Sequence, residues 1–214
     1  MTTTSTATNA ATTADLGLTQ LIDGIRSVVA HDLDWDATAK LVADELAMAL
    51  PHVDGLTPAQ RLGSAERYTH HTLYVDPGGQ FSILAIVWRP GQHTRIHDHV
   101  TWCAFGVLQG VEDEELFDAD LNLVGRNVNR VGDVSGFAPP GDIHRMTNTG
   151  DVTAISIHVY GTDVNRIGSS VRRYYQKASG NRTPDPGRLS SALNDRGPRR
   201  APLDRLCVGC AGVW

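Results

Sequence analysis

The chain has 214 residues, 41% of them hydrophobic and 20% charged, with a formal net charge of −5. That is an ordinary soluble globular composition, long enough for one large domain or one and a half. A modest negative charge without a basic block makes nucleic acid and anionic membrane poor partners.

Residues 1–14 are rich in Thr, Ala and Ser. They carry neither the positive region nor the apolar core of a secretory signal, and read as a disordered N-terminus. No apolar run approaches the ~20 residues that cross a bilayer. From residue 16 to 29, Leu18, Leu21, Ile22, Ile25, Val28 and Val29 recur at helical spacing and predict an amphipathic helix. A second helix follows, with Asp36 as its N-cap and Pro51 closing it. Thr57-Pro58 suits the start of a third helical turn reaching to about residue 65. Residues 15–66 thus form an N-terminal helical segment.

The texture then changes. Between residues 67 and 176, short β-rich runs alternate with turn signals such as Asp76-Pro77-Gly78-Gly79, Arg89-Pro90-Gly91 and Pro139-Pro140-Gly141. Strands are expected over 68–75, 81–88, 97–99, 103–108, 112–117, 121–124, 127–131, 134–137, 144–148 and 153–160. So many short strands without intervening helices argue for a mainly β domain, a double sheet or small barrel. Residues 166–175 are basic and read as a loop or short helix at the barrel mouth. Residues 177–214 hold Pro, Gly, Ser, Asn and Arg in the proportions of an extended tail.

His97-Asp98-His99 places two imidazoles on one strand face, with Asp98 on the other. His144, in Pro140-Gly141-Asp142-Ile143-His144, is a third nitrogen ligand entering from another strand. A bare His-x-His pair is more often a pair of surface or core histidines. The third histidine in its own turn-and-strand context turns the balance to a metal. His93 reads as a turn residue, and His70 and His71 as either pocket lining or solvent-facing.

The spacing Gly91-x5-His97-x-His99-x3-Cys103-x6-Gly110, followed by Pro139-x-Gly141-x2-His144-x3-Asn148, resembles the two signature motifs of the cupin superfamily of small jelly-roll β-barrels. It departs from them by one extra residue between Gly132 and Pro139. It also places Cys103 where most metal-binding cupins carry a glutamate ligand. Three histidines without that glutamate, with Ser156-Ile157-His158-Val159-Tyr160 and Phe81-Ser82-Ile83-Leu84, look like the thiol dioxygenase branch. That is the family of cysteine dioxygenase and 3-mercaptopropionate dioxygenase.

The resemblance, from about residue 68 to 175, implies Fe(II), O2 as co-substrate and a small thiol converted to its sulfinic acid. Three neutral ligands leave the ion's charge uncompensated, which suits direct binding of a thiolate. Sulfinate lies two oxygen atoms up the sulfur ladder, matching one O2 per turnover. Ser156, His158 and Tyr160 share one strand face, and the family gives this trio the role of orienting substrate and oxygen. Cys103 matches the position that forms a thioether with the tyrosine in animal-type enzymes. A Cys103–Tyr160 crosslink stands here beside an inert buried cysteine.

A small thiol acid needs a cation for its carboxylate. Tyr68-Thr69-His70 replaces the Tyr-x-Arg segment of animal-type enzymes, and Arg166, Arg172 and Arg173 lie where the mercaptopropionate branch keeps its arginine. Trp102 also resembles that branch. The resemblance therefore favours oxidation of 3-mercaptopropionate to 3-sulfinopropionate, with cysteine or a thione such as ergothioneine as alternatives. A cupin that binds metal or ligand without turnover, or a zinc or nickel cupin of other chemistry, is the reading from another class. Three cysteines do not make a disulfide framework and point to a reducing, cytoplasmic compartment. Cys207-x-x-Cys210 lacks a second pair and reads as a chance feature.

Overall fold

The computed structural model of the chain describes residues 9–176, with side chains from Gly17 onward. Helix α1 (Asn9–Val29) buries Leu21, Ile25 and Val28 along one stripe. Its first turns fall inside the stretch expected to be disordered. Ala10, Ala11 and Ala14 are strong helix formers and extend the amphipathic segment backwards. Helix α2 (Trp35–Ala49) is capped by Asp34, which accepts from the Ala37 amide at 2.8 Å. The expected cap, Asp36, lies instead in the first turn, where it faces the positive end of the helix dipole and pairs with Lys40. Helix α3 (Pro58–Arg61) starts at the expected Thr57 cap, completed as a capping box by Gln60, and is shorter than expected.

Ten strands follow: β1 (Thr69–Val75), β2 (Ser82–Trp88), β3 (Ile96–His99), β4 (Cys103–Gln109), β5 (Val111–Phe117), β6 (Leu123–Arg130), β7 (Val134–Phe137), β8 (His144–Thr147), β9 (Ala154–Tyr160) and β10 (Val171–Tyr175). They form two five-stranded antiparallel sheets, ordered β1-β2-β9-β4-β7 and β10-β3-β8-β5-β6. The fold is the mainly β double sheet with N-terminal helices that the residue pattern predicts. Gly110, at φ +76°, turns the chain from the first sheet into the second in a single residue.

In the sheets, two details differ from expectation. The two short runs around Gly125 are one strand, β6, which absorbs its irregularity in a register shift opposite Leu116/Phe117. Residues 171–175 are a strand and not a loop. The buried Asp98 of β3 accepts from Arg172 Nε at 3.1 Å and from the Tyr175 hydroxyl at 2.7 Å, fastening β10 to the sheet edge. Between β9 and β10 runs the short helix α4 (Val164–Ile167). The cysteines at 207 and 210 and the tail from 177 lie outside the described residues.

Strands β2 and β9 are buried along their whole length, because the first sheet is covered on both faces. Ile83, Ala85, Val87, Ile155, Ile157 and Val159 face α1 and α2 and form one cluster with Leu21, Ile25 and Leu46. Each Val, Ile or Leu side chain among them contributes roughly 1.5–3 kcal/mol by burial. The alternate residues of the same strands face the second sheet and build the interior site. Helix α2 sits close to the sheet over Gly136: a Cβ there would lie 2.2 Å from the Ala39 carbonyl oxygen. Gly136→Ala is therefore expected to destabilise the protein by about 1–3 kcal/mol, read as a lower urea midpoint. An unchanged midpoint would mean that α2 is free to shift.

Candidate metal centre

The mouth of the double sheet opens onto a cavity of about 530 Å³. Its floor holds three buried histidines. His97 and His99 share one face of β3, and His144 is the cross-strand partner of His97 on β8. Their ligand nitrogens lie within 4.8 Å of one another, with His97 Nε2 and His144 Nε2 3.3 Å apart.

Each of the three rings is held from behind. His97 Nδ1 hydrogen-bonds the Arg95 carbonyl at 2.9 Å, His99 Nδ1 the Asp142 carboxylate at 3.1 Å, and His144 Nδ1 the Glu114 carboxylate at 2.7 Å. Each bond places the proton on Nδ1 and leaves Nε2 free to point at the common centre. Burial pushes His97 down to about 2 from its ordinary 6.5, helped by His144 and His99 beside it. His99 is lowered as well, chiefly by burial. Three pre-aimed imidazoles at this spacing fit a transition-metal ion.

Asp142 and Glu114 were not among the residues singled out from sequence. Asp142 also accepts from the His99 backbone amide at 2.8 Å, and Glu114 accepts from Asn127 at 3.0 Å. Burial works against the Glu114 anion, yet the bonds from His144 and Asn127 hold it below the usual carboxylate range. Two carboxylates stand directly behind two of the three imidazoles. The expectation of an uncompensated ion is corrected to that extent. Asp142, two residues before His144 in the same turn, was the sequence signal that could have found one of them.

The opposite wall carries His158 and Tyr160 of β9, with Ser156 buried on the same strand face next to His158. Ser156 Oγ lies 3.0 Å from His158 Nε2, and His158 Nδ1 lies 3.3 Å from the Tyr160 hydroxyl. The Trp88 indole donates to Ser156 Oγ at 3.3 Å. Burial lowers His158 to about 3, with His144 and His99 adding to it, so the ring is a neutral link. The Tyr160 ring stacks beside His99 at 5.9 Å between centroids, so the chain of hydrogen bonds ends next to a metal ligand. Burial also raises the Tyr160 phenol well above its ordinary value, keeping it protonated. Cys103 is the cross-strand partner of Tyr160 and packs with it, Leu84 and Val164.

The expected substrate-binding residues divide. Tyr68 and His70 of β1 line the cavity; His71, next to them, does not. Arg166 is exposed on α4, Arg173 is exposed on β10, and neither lines the cavity. Arg172 is committed to Asp98, whose carboxyl it holds below the usual range against the opposing effect of burial. Trp102 packs against Gly161 among the residues under the helices, away from the cavity. The reason is shared: on a strand, alternate residues face opposite ways, and loop residues after Tyr160 have no period to read. Among the described residues no arginine or lysine lines the cavity. Hydroxyls of Tyr174, Ser169 and Ser170 line its rim instead, and Arg95 stacks its guanidinium 3.5 Å over the Tyr174 ring.

Residues 60–174 match the family model of cysteine dioxygenase type I. Among solved structures, similar chains include an uncharacterized conserved protein with a double-stranded β-helix domain from Klebsiella pneumoniae, at 16% identity and TM-score 0.42 over 49% of this chain and 85% of that one. TT1209 from Thermus thermophilus matches at 16% identity and TM-score 0.41 over 50% of this chain and 96% of that one. Recombinant oxalate oxidase in complex with glycolate matches at 18% identity and TM-score 0.40, over 47% of this chain and 53% of that one.

Proposed function

Because the chain belongs to the cysteine dioxygenase type I family, we propose that it is an Fe(II)-dependent thiol dioxygenase that converts a small thiol and O2 to a sulfinic acid. The observation that carries this reading is a buried three-histidine cluster facing the Ser156–His158–Tyr160 chain across one cavity. A mere binder has no use for a buried, proton-handling trio beside its metal ligands.

Iron held by His97, His99 and His144 would supply adjacent binding positions for the thiol sulfur and for O2. The protein's own residues do the rest. Leu84, Ile86 and Met146 exclude water from the floor, which strengthens every polar contact made there. Tyr160 holds a proton beside His99, and His158 and Ser156 keep it aimed. A donor placed where negative charge gathers stabilises that charge without reorganising.

The substrate we propose is 3-mercaptopropionate, its carboxylate taken by the Tyr68 and Tyr174 hydroxyls and the His70 imidazole. A second reading is favoured by one observation: the cavity is about 530 Å³, aromatic at the rim and, among the described residues, without a guanidinium on its wall. That suits a bulkier thione such as ergothioneine. The deciding experiment is oxygen uptake by the iron-loaded full chain with cysteine, 3-mercaptopropionate, cysteamine and ergothioneine. One substrate should give sulfinate in step with the O2 consumed. No sulfinate from any of them would sink the dioxygenase reading.

We further propose that aerobic turnover joins Cys103 Sγ to the Tyr160 ring, with the two hydrogens lost taken up by O2. The two residues are directly paired across β4 and β9, the arrangement that brings side chains into contact. The mass should fall by two hydrogens in the wild type and stay put in Cys103→Ser. An unchanged wild-type mass after turnover removes the crosslink.

A further inference from the structure

Glu112 lies on β5 with its side chain wholly buried between the sheets. Its carboxyl lies against the Ser156 hydroxyl and the Trp88 indole N–H, but among the described residues neither oxygen completes a hydrogen bond. Its cross-strand partner on β6, Asn129, has a buried side-chain NH2 that is likewise unpartnered. One inward-facing rung along, the same Glu–Asn pairing is made, with Asn127 donating to Glu114 at 3.0 Å. A buried acid left open at the root of the Ser156–His158–Tyr160 chain calls for an account.

That chain can run in either direction. Ser156 and Tyr160 hydroxyls each donate once and accept, while neutral His158 donates from one nitrogen and accepts at the other. Fixing one end therefore fixes every hydrogen along it. We propose that Glu112 is the positioning residue that sets the direction of this relay. As a neutral acid it donates to Ser156, Ser156 donates to His158 Nε2, and His158 Nδ1–H donates to Tyr160. The Tyr160 O–H is then turned away from His158, toward the metal-facing cavity and the Ser170 hydroxyl that lines it beside Tyr160. As a carboxylate, Glu112 accepts from Ser156, the sequence reverses, and Tyr160 turns its hydrogen back to His158 and a lone pair to the cavity.

Burial holds Glu112 neutral, pushing its carboxyl up to about 8; Ser156 and Trp88 pull the other way, and Glu114 adds to the rise. Among the described residues, the titratable groups that act on it are Glu114 on its own strand and Tyr160 on β9, with His158 reached through Ser156. Strands β2 and β6 present the uncharged Trp88 and Asn129. Trp88 donates to Ser156 Oγ in both states, so the serine keeps a full set of partners either way. The consequence for catalysis rests on the dioxygenase reading above: the donor state suits negative charge on the reacting atoms, and the acceptor state opposes it.

Infrared spectroscopy of the full chain, metal-loaded and metal-free, tests the acid itself. A protonated carboxyl C=O band is expected at pH 7, absent from E112Q and fading as pH passes about 8. Absence of that band from the wild type at pH 7 overturns the proposal. The relay is tested by pH profiles with the active thiol. The wild-type rate should fall on the alkaline side through the same pH, and that fall should vanish in E112Q, whose amide donates at every pH. In E112L, with no donor, kcat should drop about tenfold at pH 7 with KM moving less. An E112Q profile that keeps the wild-type alkaline fall overturns the relay. Should no thiol turn over, the dioxygenase reading fails while the infrared band still decides the state of Glu112.

Discussion

His97→Ala and His144→Ala are both expected to abolish stoichiometric metal binding and to lower activity by more than about 100-fold, beyond the range for losing an outer-shell partner. They should part company in stability. Behind its ring, His97 hydrogen-bonds a backbone carbonyl and, among the described residues, no carboxylate, so its loss leaves no charge stranded. His144 donates to the buried Glu114 carboxylate at 2.7 Å, and its removal leaves that anion with the Asn127 amide as its remaining donor. A charge-assisted bond of this kind is worth about 1.5–3 kcal/mol. The His144 variant should therefore also unfold at lower urea, while the His97 variant stays nearer wild type. Metal analysis of the purified proteins and urea midpoints of their metal-free forms read the two effects separately. Equal midpoints would show that Glu114 is neutralised in some other way.

The metal-free protein is expected to be most stable near pH 6.5 and to weaken on either side. His97 and His158 stay neutral in the fold down to about 2 and about 3, chiefly because they are buried. In the unfolded chain they take up protons near 6.5, so each loses about 1.4 kcal/mol of stability per pH unit below that value. Glu112 acts in the opposite sense. Its folded carboxyl keeps its proton up to about 8, against an ordinary 4.5, so it gains stability as pH falls through the same window. One histidine is thereby offset. The net is one proton over two pH units, roughly 3 kcal/mol lost by pH 4.5, and the lowered His99 adds in the same direction. Above 6.5 the Glu112 contribution is left uncompensated and costs roughly 2 kcal/mol by pH 8. Against a typical stability of 5–15 kcal/mol, the acid loss is large enough to see plainly in urea midpoints. E112Q should remove the alkaline decline and steepen the acid one. A flat profile between pH 4.5 and 8 would contradict the burial of these groups.

The N-terminal helices, most of the strands and the facing of the three histidines were legible because they depend on periodicity and turn signals. His97 and His99 two apart, and Ser156, His158 and Tyr160 at alternating positions, must share a face wherever the strand lies. The turn glycines and prolines marked where strands end, and His144 stood inside such a turn signal. Residues 171–175 misled for a physical reason: a charged, aromatic run looks like a loop until a buried Asp98 gathers Arg172 and Tyr175. The same pairing removed Arg172 from the site.

What the sequence determined by itself was the kind of site: three imidazoles, no first-rank carboxylate, and a hydroxyl–imidazole–phenol strand to face them. Local spacing suffices for that, since each feature lies within a few residues of one chain. What the tertiary structure decided was everything that depends on which strands become neighbours. The pairing of β5 with β8 placed Glu114 behind His144. Packing one sheet over the other brought Glu112 to the root of the Ser156 relay. The cavity wall likewise kept Tyr68 and His70 and turned Trp102 and the three arginines away. Contacts between residues 30 or more apart are fixed by sheet order and register, and no local pattern carries that information.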